Sequence, residues 1–342
     1  MKNALVQFLF GAAMIVGGHS VDREGPSVHL GATCGSALGE RGGLRHRDRR
    51  TLIACGVAAS VAAAFNTPLA GAVFAIEVMG FRYNIARFMP VTMAAVIGAV
   101  VVRVAGGGVT AFPIGDFGIR TVLELPGIAL LGVATGAVAG LFTAASQGFT
   151  RRLSHVGPAA GFALSGLVTG TLALAVPQIM GVGSDVLQAM LTRELPALLL
   201  LGIVLAKVLA TSVAVGLRVP GGLIGPTLVI GGAMGGLAHF ALAAVLPTEM
   251  APPGFYAIIG MVAMMGAALH APMAALIALL ELTGTPGIIL PGMLVMVTAD
   301  AVYRLGLRRE SIFVAVLRVL RAQQERASAR VVPPGAPPEP RD

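Results

Sequence analysis

The chain has 342 residues, 56% of them hydrophobic and only 12% charged, with 24 Lys and Arg against 16 Asp and Glu, and a mean hydropathy of +0.86. An ordinary soluble domain carries about 25% charge, so this balance excludes a typical soluble fold and, equally, a disordered chain. At about 20 apolar residues per membrane-spanning helix, the roughly 190 hydrophobic residues suffice for at most about nine spans, which defines a polytopic membrane protein set in a lipid bilayer. The net charge of +8 does not point to nucleic acid, because there is no Trp, only three Tyr, and no Lys besides Lys2 and Lys207. A nucleic-acid surface needs a basic stripe interleaved with aromatics. The arginines gather instead at 41–50, at Arg151 and Arg152, and from Arg304 onward, as expected of cytoplasmic loops flanking membrane helices.

In chain order, the first twenty residues combine Lys2 with an apolar core and mimic a signal peptide. The glycine-patterned segment and further apolar runs that follow favour a shortened membrane helix. Nearly charge-free runs then fall at 51–80, 88–102, 125–148, 158–180, 195–217, 221–246, 254–282 and 286–303. Several are interrupted by Pro or Gly, as at Asn66-Thr67-Pro68 and Ala271-Pro272. Irregular backbone at membrane depth survives only where protein buries it or where it lines a polar cavity, so these read as broken or re-entrant helices beside a permeation path. Cys34 and Cys55 lie in apolar surroundings without CxxC spacing and read as buried thiols. Residues 321–342, proline-rich after Arg326, read as a flexible tail with no soluble regulatory domain.

An internal repeat organises residues 1–320 into halves of about 1–120 and 121–320. Gly25, Pro26, Gly31 and Gly35 recur 200 residues later as Gly225, Pro226, Gly231 and Gly235. Each copy is followed by a second mark: Thr67-Pro68 with Glu77 nine residues beyond the proline, and Ala271-Pro272 with Glu281 at the same distance. Inverted copies of this kind are a common construction of transporters.

A Gly-Pro step followed by small residues has a physical meaning at membrane depth. Proline suits the first turn of a helix, where its missing N–H is no loss. The resulting helix start presents free amides and a partial positive charge, which form an anion site without Lys or Arg. Two such starts meeting near the midplane would hold a dehydrated anion weakly enough to release it. The competing reading is that these small residues only let helices pack closely. Glu24, immediately before Gly25 and Pro26, would compete with an anion for the same amides and so act as a gate. Its bland alternative is a carboxylate that merely complements the helix dipole.

Taken together, REGPSVHLG at 23–31, AAFNTPLAGAVFAIE at 63–77, PGGLIGPTL at 220–228 and HAPMAALIALLELTG at 270–284 resemble, in order and spacing, the signatures of the CLC family of chloride channels and proton-coupled chloride transporters. The resemblance covers residues from about 9 to about 320. It implies an all-α polytopic membrane fold of the CLC type, with inverted repeats and broken helices. It implies Glu24 as the gating carboxylate and Gly25, Pro26, Gly222, Leu223 and Ile224 as backbone contributors to the anion site. Phe313 falls where the family has an inner tyrosine whose hydroxyl contacts the anion, a bond that a phenyl ring cannot make. Val78 stands where proton-coupled members carry a second glutamate, Asp22 where the family most often has glycine. The family's serine-bearing GSGxP motif belongs some forty residues before Glu24, and 23 residues precede Glu24 here; the resemblance therefore implies a member without its opening helices.

The functional expectation is channel-like movement of chloride or a similar monovalent anion gated by Glu24, in a homodimer with an interface near 286–303, within a bacterial-type inner membrane. The alternatives are proton-coupled chloride or fluoride antiport, or an inactive fragment serving as an assembly partner. No cofactor, metal or enzymatic constellation is expected, since the acids are scattered and none of the six His forms a ligand pair. Glu77 and Glu281 read as structural acids satisfying backbone amides, Lys207 as a cation that snorkels or pairs with a buried acid, His29 as packing, and Asp300 as a solvated acid near a helix end.

Overall fold

A computed structural model describes residues 1–81, 84–106, 118–246 and 249–331, with side chains described to Glu325. Among these residues there is no β-strand, only one isolated bridge between Asp22 and Gly222. The helices in chain order are α1 (Lys2–Val16), α2 (Glu24–Arg41), α3 (His46–Phe65), α4 (Pro68–Val78), α5 (Ile85–Val104), α6 (Glu124–Leu153), α7 (Pro158–Ala173), α8 (Ser184–Thr192), α9 (Ala197–Gly216), α10 (Ile224–Ala243), α11 (Pro253–Leu269), α12 (Pro272–Thr283), α13 (Ile289–Asp300) and α14 (Ile312–Val331). Five are long and apolar enough to cross a membrane: α5, α6, α9, α10 and the run Pro286–Gly306 that contains α13. The chain is a multi-pass integral membrane protein.

The breaks fall where the sequence carries stop and start signals. Helix α3 ends at Asn66 in the left-handed conformation (φ 56°) and α4 starts at Pro68. Likewise α11 ends at His270 (φ 58°) and α12 starts at Pro272. Proline at the first helical position costs no hydrogen bond, and a left-handed residue closes the preceding helix. The same pattern recurs at Gly18 and Arg218, with φ of 81° and 58°, and at Gly80 and Gly284, with φ of 63° and 64°.

Elements α1–α5 and α9–α13 therefore repeat one plan, with α6–α8 between them and α14 after. Small residues allow the close helix pairs within each copy. A Cβ on Gly31 would collide with the Gly56 carbonyl, and one on Gly231 with the Gly260 carbonyl. Helix α11 lies at the centre, buried along its whole length from Gly254 to Leu269. The buried Glu124 is held by backbone donors: it accepts from the amides of Arg120 (2.8 Å), Thr121 (3.0 Å) and Ala251 (3.1 Å). The Tyr303 hydroxyl donates to the Glu310 carbonyl (2.7 Å), fixing the entry to α14.

Three expectations are corrected. Residues 321–331 are helical, not a flexible tail, because alanine, glutamine and arginine favour continuation of α14 and the first proline comes only at 333; residues 332–342 lie outside the described residues. The two cysteines are free but only half-buried. Lys207 neither snorkels nor pairs with an acid. It is fully buried on α9, and its ammonium donates to the carbonyls of Ile179 (2.9 Å) and Gly181 (3.0 Å).

Candidate functional site: two helix starts between two cavities

The starts of α2 and α10 meet at the only bridge in the described chain. Asp22 N donates to the Gly222 carbonyl (3.3 Å), and Gly222 N donates to the Asp22 carbonyl (3.0 Å). The two residues occupy equivalent places in the repeats, so their reciprocal pairing puts a local two-fold axis between them. The segment before α2 is fastened from two sides. His19 Nδ1 lies 3.1 Å from Ser165 Oγ on α7, and the Thr211 hydroxyl of α9 donates to the Ser20 carbonyl at 2.9 Å.

Two cavities approach this junction and share no lining residue. One, of about 560 Å³, is lined by Gly25, Pro26, Gly222, Leu223, Ile224 and Phe313. The structure thus brings together in one cavity all six residues that the sequence singles out beside the gate. Val78 and His29 line the same cavity. The other cavity, of about 180 Å³, is lined by Glu24, Arg23 and Gly225 together with apolar side chains of α10, α11 and α12.

Glu24 is 3% exposed. Its Oε1 lies 3.5 Å from Arg23 Nε, and its Oε2 is buried with no hydrogen-bond partner among the described residues. It does not take up the amides of Gly25 or Gly225. Those belong to Asp22, which is fully buried. Asp22 Oδ1 accepts from the amides of Glu24 (3.1 Å) and Gly25 (3.3 Å), and Oδ2 accepts from the amide of Gly225 (2.5 Å). One carboxylate caps the starts of both helices. Sequence reasoning registered the acid but not its reach, since Gly225 is 203 positions away.

The paired acids Glu77 and Glu281 lie at the other helix starts and serve as caps. Glu281 accepts from the amides of Leu69 (3.0 Å) and Ala70 (2.8 Å), Glu77 from those of Met273 (3.1 Å) and Ala274 (2.9 Å). Asp300 is partly covered and bonds Arg304 Nε at 2.6 Å.

An inverted-repeat helical membrane fold whose broken helices start at a central junction between two cavities defines a class of solute-moving membrane proteins. The sequence profile described as voltage gated chloride channel matches residues 1–304, and the chain belongs to that family. Among its relatives, it is 34% identical over 307 residues to a putative chloride channel protein ClcB-like of Ralstonia nicotianae, covering 87% of this chain and 71% of that one. It is 32% identical over 297 residues to the H(+)/Cl(-) exchange transporter ClcA of Citrobacter koseri, covering 84% of this chain and 62% of that one. The chain thus spans less than two thirds of the length of ClcA. Its fold is similar to that of a slow cyanobacterial Cl-/H+ antiporter, with a TM-score of 0.79 at 22% identity over 91% of this chain and 74% of that one. A CLC-type fluoride/proton antiporter matches with a TM-score of 0.70 at 23% identity over 88% of this chain and 79% of that one.

Proposed function

We propose that this chain moves a monovalent anion, chloride in the first place, across the membrane by way of the junction of the α2 and α10 starts, with Glu24 as a gating carboxylate. The observation that carries the reading is the arrangement of the two cavities. Helix-start amides that favour anions separate them, and a buried carboxylate, one oxygen of which has no hydrogen-bond partner among the described residues, stands at the junction.

Coupling to protons is the form of transport we favour. ClcA is named an exchanger of H(+) and Cl(-), and both structural neighbours named above are described as proton antiporters. This displaces the channel-like expectation drawn from Val78. Because valine holds no proton and lines the larger cavity, a proton here would pass by another carrier. Passive anion movement stays as the second reading, and Val78 is the observation that favours it.

The arginine clusters support an orientation. Gln323 of α14 donates to the Arg151 carbonyl at 3.2 Å, which groups the basic end of α6 with α14 on the side of the Phe313 cavity. By the positive-inside rule that cavity faces the cytoplasm, of a bacterial-type inner membrane. The outward stripe of Leu290, Met293 and Val297 on α13, exposed by 62%, 49% and 56%, is the surface through which two copies would pair.

The test is chloride efflux from proteoliposomes with external pH recorded simultaneously, for this chain and its Glu24→Gln variant. Chloride efflux accompanied by opposite proton movement, with the proton component lost in the variant, supports exchange. Efflux without protons moves the reading to the passive form. No efflux from either overturns transport by this chain alone and favours the assembly-partner alternative.

A further inference from the structure

We propose that Asp22 is a tethered anion that occupies the paired helix starts, so that an incoming anion must displace Asp22 from those amides, while Glu24 gates the approach from the smaller cavity; the proposal rests on the anion path described above. Three observations carry it. The first is the set of donors. The Asp22 carboxylate takes first-turn amides of both helices, those of Glu24 and Gly25 on α2 and that of Gly225 on α10. Charge-assisted bonds from backbone amides to a carboxylate are among the stronger hydrogen bonds in proteins, and this carboxylate makes three while fully buried.

The second observation is the asymmetry of the repeat. The residue equivalent to Asp22 in the other half is Gly222, and the two sit against each other across the local axis. A Cβ on Gly222 would collide with Asp22 Oδ1, and one on Gly225 would come within 2.9 Å of the Asp22 Cβ. There is room for a single side chain between the helix starts. A bare residue in one half admits an acid from the other, which reaches the amides of both.

The third is what happens to Glu24. Two carboxylates meet at one set of donors, and the amides of Gly25 and Gly225 go to Asp22, with Glu24 against it. The Glu24 Oε2 is buried, without a hydrogen-bond partner among the described residues, beside the smaller cavity. A buried acceptor in that state has a high cost, consistent with a group that gives way to a stronger competitor. Asp22 also stands on the dividing wall itself, since Gly25 lines one cavity and Gly225 the other. A permeating anion passing between the cavities meets the Asp22 carboxylate at that wall, with Glu24 on the side of the smaller cavity. Removal of the Asp22 carboxylate would leave the amides of Glu24, Gly25 and Gly225 free at two helix starts, donors of the kind that bind small anions.

The experiment compares the whole chain with its Asp22→Gly and Asp22→Asn variants in detergent and in proteoliposomes. Asparagine keeps the acceptor shape and removes the charge, so it serves where glycine loosens the fold. Bromide and chloride binding is measured by isothermal titration calorimetry, beside chloride efflux, with size-exclusion profile and helical circular dichroism as checks of folding. Expected is halide binding about tenfold tighter or more in Asp22→Gly and tighter than wild type in Asp22→Asn, with faster efflux in both. Folded variants that bind halide no more tightly than a wild-type chain that does carry chloride would overturn the role of Asp22 and reduce it to a helix cap. Absence of halide binding and efflux in all three chains would instead overturn the anion path, and the inference with it.

Discussion

Glu77 and Glu281 each cap a helix in the opposite half of the repeat: Glu77 takes the first amides of α12, and Glu281 takes those of α4. Donors and acceptors are exchanged with a constant offset of 204 residues (Glu77 with Glu281, Leu69 with Met273, Ala70 with Ala274). The two acids therefore join the halves rather than either half alone.

Removing one of these acids should loosen that joint. Glu281→Ala strands two amide donors at the α4 start, a loss of about 1–3 kcal/mol, and Glu77→Ala should cost about the same at α12. Thermal unfolding in detergent measures both. A double variant that loses much less than the two singles combined would show the caps to be one coupled unit.

Close helix contact at the repeated glycines predicts a sharper effect. Gly31→Ala and Gly231→Ala each drive a methyl into a backbone carbonyl, of Gly56 and Gly260 respectively, and neither carbonyl can move without shifting a helix. Both variants should fail to yield a monodisperse protein. Gly170→Ala, on α7 with no atom within 4 Å of the added methyl, should be neutral or gain about 0.5–1 kcal/mol from helix propensity. Size-exclusion profiles of the three separate the cases.

Phe313 offers a gain of function. Its ring lines the larger cavity beside Gly222, Leu223 and Ile224 but has no donor to offer. Phe313→Tyr adds one hydroxyl on that wall, and a hydrogen bond of about 0.5–1.5 kcal/mol should tighten halide binding by roughly two- to tenfold. Calorimetric titration with bromide reads it. Binding unchanged within error would show that the hydroxyl does not reach the anion.

Lys207 is the buried cation whose removal should be felt in stability. Its ammonium serves the Ile179 and Gly181 carbonyls, and Gly181 N in turn donates to Gly18 at the entrance to the α2 segment (3.4 Å). Lys207→Met keeps the length of the side chain and leaves both carbonyls without that donor, at a cost of about 1–3 kcal/mol. The unfolding midpoint should fall, which thermal melts in detergent record.

How much of this was legible beforehand follows the range over which each signal acts. The broken helices and the starts at Pro68 and Pro272 are set by residues within one turn of each other, and the repeat by the same Gly and Pro spacing recurring 200 residues later, so the sequence by itself determined them. Even the cavity residues Gly25, Pro26, Gly222, Leu223, Ile224 and Phe313 were within reach, because two Gly-Pro steps marked the helix starts and a family resemblance marked the rest. The extent of α14 was misread because a proline-rich end drew attention from the alanine, glutamine and arginine that precede it.

Tertiary structure alone decided which acid holds which amide. In the sequence Asp22 stood out only as an acid where the family most often has glycine, and Glu24 as the natural occupant of the α2 start. The direction of the Gly225 amide depends on how α10 packs against α2, and a difference of a few ångströms decides which carboxylate it meets. Hydrogen bonds are short-ranged and directional, so a pairing between positions 22 and 225 leaves no periodicity or motif in the chain. Only the folded arrangement of the two repeats brings them together.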